Sequence, residues 1–150
     1  MAMAMAGCGG GDGGGNEAST RGALLEPPTL VASFTAAQID AQAAASGSQA
    51  LVGKARCDVN LYAVNYRTVG VEGEPTNASG VLLLPAGACK DGAPLLAYSK
   101  GTDVVKSRTL ANAADAETRF LLAMYAAQGY ALVASDMLGF AKSSYAFHPY

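Results

Sequence analysis

The sequence has no tryptophan, a single histidine and no excess of charge of one sign. Each absence excludes something. One histidine, His148, cannot build a multi-histidine metal site. Ten Lys and Arg against twelve Asp and Glu give a net charge of −2, with no basic stripe to follow a phosphate backbone, so nucleic acid is not an expected partner. No run of about 18 apolar residues is present, so no transmembrane helix is expected. The spellings HExxH, Walker A and CxxC are missing too, which removes zinc-protease, P-loop nucleotide and dithiol-redox chemistry. No metal and no cofactor is expected. What remains is 150 residues with 51% hydrophobic and 15% charged residues, enough apolar surface for one sizeable core.

Glycine is concentrated at the front. Seven of the eighteen glycines lie in residues 1–15, without one aromatic or β-branched residue. Such a stretch buries too little surface to offset its ordering entropy. Residues 1–26 are therefore read as lying outside the fold, with a Gly-rich tether over about 9–26, and residues 27–150 as the domain. Small residues precede Cys8 in Met5-Ala6-Gly7-Cys8, which resembles the end of a bacterial lipoprotein signal with Cys8 as the lipidated residue. A basic n-region and an apolar h-region do not precede it. Two readings stand: a lipidation site whose front end is missing, or a chance cysteine in a low-complexity tail. Cys57 and Cys89 depend on the same question. They are two small apolar residues in a reducing compartment, or disulfide partners in an oxidising one.

Thr35 followed by Gln38 spells a capping box for an Ala-rich surface helix over 36–46, stopped by Gly47. Residues 57–69 alternate, with Val59, Leu61, Ala63 and Asn65 on one face and Asn60, Tyr62, Val64 and Tyr66 on the other. A turn at Gly70–Pro75 leads to a second strand over 76–84, making an antiparallel hairpin. The apolar run 94–98 reads as a strand buried on both faces. Residues 114–128 read as a helix ended by Gly129, and 130–135 as a further apolar strand, parallel to 94–98. The fold class expected is α/β: a hairpin leading into a strand–helix–strand crossover. Were the domain to end at Tyr150, the strand 130–135 would form an unpaired edge.

Several short motifs fall in a telling order. Tyr66-Arg-Thr-Val-Gly70, Gly73-Glu-Pro-Thr76 and Ala78-Ser-Gly80 with LLLP come first. PLLAY with Gly101-Thr102 follows, then Ala127-Gln-Gly-Tyr130, Ser135-Asp-Met-Leu-Gly139 and a His-Pro-Tyr. Together they resemble the front part of an α/β-hydrolase, within it the bacterial secretory lipases and esterases, over residues 30–150. The resemblance implies a partial α/β-hydrolase fold, incomplete at the C-terminus, and an exported serine hydrolase acting on a small-molecule or lipid ester. It places the loop after PLLAY at the oxyanion hole, with Thr102 as backbone donor and Gly101 allowing close approach. Lys100 stands where that group more often has His. The nucleophile motif Gly-x-Ser-x-Gly does not occur, and His148 lies too early in the chain order to serve a triad. The expectation is an N-terminal portion of a secreted or lipid-anchored esterase that carries none of the catalytic triad and is inactive alone, with membrane contact only through Cys8. The alternative is a non-enzymatic periplasmic lipoprotein domain for binding or interaction.

Overall fold

The computed structural model describes residues 21–149, so Cys8 and most of the Gly-rich stretch lie outside the described residues. The chain order is β1 (Thr29–Phe34), α1 (Ala36–Ala45), α2 (Gln49–Val52), β2 (Asp58–Val69), β3 (Pro75–Ala86), β4 (Leu95–Ser99), α3 (Ala116–Met124) and β5 (Ala131–Ser135). The strands form one five-stranded sheet in the order β1-β2-β3-β5-β4. Only β4 and β5 are parallel; every other neighbouring pair is antiparallel. This is a mixed α/β sheet.

The hairpin forms as its alternation predicts. β2 and β3 pair without a slip from Asp58–Ala86 to Val69–Pro75. Gly73 turns the chain with φ +87°, a conformation that costs glycine nothing. Val59, Leu61, Val81 and Leu83 are fully buried on one face. They join Leu132 and Ala134 of β5, Ile39 and Ala43 of α1, and Leu121 and Leu122 of α3 in a single core. Burying a Leu or Val side chain is worth about 1.5–3 kcal/mol, so this face dominates stability. The next row on the opposite face, Tyr62–Leu82–Val133–Ala97, is only half-buried to exposed. At Gly80 a Cβ would overlap the Ala134 carbonyl oxygen, so glycine is what lets β3 approach β5.

α1 starts with the expected capping box. The Gln38 N–H donates to Thr35 Oγ1, and the Thr35 N–H donates to Gln38 Oε1 at 2.9 Å. Its C-terminal turn continues into Gly47, φ +73°. α3 is shorter than expected. Asp115 caps it by accepting from the Thr118 N–H at 3.0 Å, and after Tyr125 the chain tightens into a 3₁₀ turn, Ala126–Gln128. Gly129 then takes the left-handed conformation, φ +104°.

The structure corrects four expectations. Residues 22–25 are not free tether: the Gly22 and Leu25 N–H groups donate to the Arg67 and Asn65 carbonyls, lining the outer edge of β2. β1 continues along that edge, and a strand there was not expected, because TLVASF neither alternates cleanly nor forms an unbroken apolar run, and its residues are mostly exposed. β4 is not buried on both faces. It is the edge strand, with Leu95 72% exposed, while Leu96 and Tyr98 pack against the core. β5 is not the unpaired edge: it inserts between β3 and β4, hydrogen-bonded on both sides. The local run of apolar residues was the same in both strands; which one became central was set by the crossover through α3.

Cys57, just before β2, and Cys89, in a 3₁₀ turn just after β3, are joined by a disulfide across a Cα–Cα distance of 5.7 Å. Hairpin pairing brings the two ends together, and the bridge locks the open end of the hairpin.

Candidate active site

The two parallel strands end side by side, Ser99 opposite Ser135. Open α/β sheets bind ligands outside the carboxyl ends of such strands. Three segments meet there: the turn after β4, the run 106–115 before α3, and the loop 137–149 after β5.

The turn after β4 carries the expected residues. Gly101 and Thr102 are exposed, and no hydrogen bond among the described residues engages either N–H. The residues on either side are tightly held. The Lys100 side chain is only 1% exposed, and its Nζ donates to Asp103 Oδ2 at 3.1 Å. It also sits 4.2 Å from the centroid of the Phe140 ring. Asp103 Oδ1 accepts from the Val104 and Val105 N–H groups at 2.8 and 3.0 Å. The Val105 N–H foremost, then Lys100 and Arg108, outweigh the opposing effect of burial and hold the Asp103 carboxyl far below its ordinary range.

Arg108 ties the turn to α3. Its guanidinium reaches Asp103 at 3.0 Å, Asp115 at 2.9 Å and Glu117 at 2.7 Å. Burial raises the Asp115 carboxyl, but the Arg108 bonds and the Thr118 N–H outweigh it, so the group ends below its usual value. Glu117 in turn accepts from the Tyr98 hydroxyl on β4 at 2.8 Å, and that bond raises the phenol.

Asp136, directly after β5, is fully buried and serves as a structural anchor. It accepts from Ser79 Oγ at 2.7 Å, Thr109 Oγ1 at 2.9 Å and the Leu110 N–H at 2.8 Å. Three donors from two segments fix the start of the 137–149 loop against β3 and the run before α3. Sequence reasoning had no hold on this role, since the Ser79 partner lies 57 residues away, nor on that of Arg108, whose partners are near in sequence but which itself lies on an irregular run that no periodic pattern describes. The one signal was an Asp closing an apolar strand.

The loop after β5 is bent sharply: Met137, Gly139 and Ala141 have φ of +73°, +77° and +50°. A Cβ at Gly139 would overlap the Phe147 backbone. Phe140 is buried, with its ring 5.0 Å from that of His148, whose Nδ1 lies 2.8 Å from the Leu138 carbonyl. His148 is thus a half-buried member of this loop, packed on the site's wall. Among the described residues no group of three or more His, Cys, Asp or Glu could hold a metal ion, and no helix is long and apolar enough to cross a membrane. A cleft of about 510 Å³ between α1 and α3, lined by Ile39, Ala43, Ser48, Phe120 and Leu122, contains none of the site residues.

The chain shares this hairpin and parallel strand–helix–strand unit with α/β-hydrolase-like esterase structures, over part of their length. It is similar to the rice cell wall degrading esterase LipA from Xanthomonas oryzae. A point mutant of LipA matches at 40% identity and TM-score 0.75, covering 87% of this chain and 33% of that one. A ligand-bound form matches at 40% identity and TM-score 0.74, with the same coverage. A presumptive hydrolase from Legionella pneumophila shares the fold at 22% identity and TM-score 0.72, covering 85% of this chain and 34% of that one. The chain therefore spans about a third of the length of these solved structures. No family model and no curated protein sequence matches it.

Proposed function

We propose that this chain is the oxyanion-side portion of an exported carboxylic ester hydrolase. The observation that carries the reading is 40% identity to LipA, sustained over 87% of the chain but one third of that esterase. In this reading the Thr102 N–H, with Gly101 beside it, donates to the carbonyl oxygen of a small-molecule or lipid ester as negative charge builds on it. A fixed backbone donor is well suited to that task, since it needs no reorganisation at the moment of reaction. The uncommitted N–H groups of Gly101 and Thr102 support it. The attacking Ser, its base and its acid come from residues that follow this sequence, because no Gly-x-Ser-x-Gly is spelled within it. Export is supported by the Cys57–Cys89 disulfide and by a relative that degrades a plant cell wall, a substrate outside the bacterial cell. Lipidation at Cys8, followed by a Gly-rich tether, would hold the enzyme at the membrane surface; palmitate labelling of wild type and not of Cys8→Ser tests it.

The catalytic reading is tested with p-nitrophenyl esters and a fluorophosphonate probe. The 150-residue chain should neither turn over ester nor label. The same chain extended by the coding sequence that follows should do both, labelling one downstream serine. In that extended protein Thr102→Pro, which deletes the donor, should lower kcat by about 10²–10³, while Thr102→Ala keeps the N–H and most of the activity. Labelling of a serine within residues 21–149, or full activity in a folded Thr102→Pro variant, would overturn the assignment.

A further inference from the structure

A lysine at the end of a strand ordinarily extends its charge into water. Lys100 does the opposite. Its side chain is 1% exposed, although Gly101, Thr102 and Val104 beside it are open to solvent. Removing an ammonium from water is costly unless partners compensate, and an apolar side chain of similar size would avoid that cost. The buried charge therefore calls for a role beyond filling space.

We propose that Lys100 is a positioning residue for the Gly101–Thr102 turn, closing it through Asp103 and coupling it through Phe140 to the loop after β5. The proposal rests on the esterase reading and names a device within the same site. Lys100 follows β4 and is anchored on one side of the turn. Asp103 is anchored on the other, with Oδ2 shared by Lys100 and Arg108 and Oδ1 taken by two backbone N–H groups. Two exposed residues with uncommitted N–H groups are thus suspended between two fixed ones. The second link is the 4.2 Å contact between the ammonium and the Phe140 ring. Phe140 lies between Gly139 and Ala141, both at positive φ, and a non-glycine residue holds that conformation only where its surroundings enforce it. The loops after two adjacent parallel strands are in this way held as one unit, and the turn is set before any ester arrives.

Two readouts test this. The first is the ¹⁵N order parameter of the Gly101 and Thr102 amides in the 150-residue chain. Wild type should read as rigid backbone, about 0.85, and Lys100→Met should fall toward 0.6, with the β2–β3 amides unchanged. The second is steady-state kinetics in the extended esterase. Lys100→Met should lower kcat by about 10²-fold with KM nearly constant, as expected for a misplaced donor, and Lys100→Arg should recover a large part. Unchanged order parameters, or a loss confined to KM, overturns the proposal. Should Lys100→Met fail to fold, Phe140→Leu removes the ring while keeping the Lys100–Asp103 pair. It should loosen both amides, and amides as rigid as wild type would overturn the coupling. If the extended wild type hydrolyses no ester, the esterase reading fails, while the order parameters still decide the clamp.

Discussion

The β2–β3 hairpin and the carboxyl ends of β4 and β5 belong to one sheet but are held by different physics. The hairpin is local and apolar. Twelve residue pairs follow one another without a slip, and alternate side chains enter the core. The carboxyl ends are held by charge and by long-range bonds: Asp136 by three donors, and Asp103 by two cations and two backbone N–H groups. The first region can be misassembled only by shifting register, which would turn every core residue to the wrong face. The second consists of exact polar partnerships, where loss of one member leaves the others unsatisfied. A sheet whose stability sits in one region leaves the other free to hold an exposed backbone turn.

The largest effect that would break this contrast is in the hairpin core. Leu83→Ala, at a fully buried position, should destabilise by roughly 3–5 kcal/mol by denaturant titration, since little can collapse into the space. Next comes the Cys57–Cys89 bridge, which closes a separation of 32 residues. Replacing both cysteines with Ser should cost about 3–4 kcal/mol on the chain-entropy estimate. The loss should appear as fraying at the open end of the hairpin in hydrogen exchange, leaving the hydrogen-bonded Leu110 and Asp136 amides at the carboxyl ends unaffected; equal loss at both regions would mean that they are one cooperative unit.

The smallest effect concerns pH and belongs to the charged region. Asp103 and Asp115 have carboxyl groups held below their ordinary value of 3.8 in the fold. Groups shifted this way contribute stability that is present above the unfolded value and lost as pH falls through the folded one. The thermal midpoint should therefore decline as the pH drops below about 4, and Asp103→Asn should flatten that decline. At the other limb the raised Tyr98 phenol contributes stability below about pH 10 that is lost in stronger alkali. An acid limb unchanged in Asp103→Asn would remove Asp103 from the ionic network.

The sequence by itself determined the elements whose causes are local. The capping box at Thr35 and Gln38, the alternation of 57–69, the turn at Gly70–Pro75 and the stop at Gly129 depend on residues within a few positions of one another. The motif order also pointed to Gly101 and Thr102 as a turn at a strand end. Only the tertiary structure decided which apolar strand became central and which the edge. The runs 94–98 and 130–135 carry the same local signal, and their places depend on a crossover that no short pattern encodes. It decided likewise that residues 22–25 line β2, that Lys100 turns inward, and that Asp136 anchors two distant segments. Those outcomes rest on contacts between residues far apart in sequence, the Gly22 and Leu25 N–H groups on β2, the Lys100 ammonium on the Phe140 ring and Asp136 on Ser79 and Leu110, whose energies exist only once the sheet has brought the partners together.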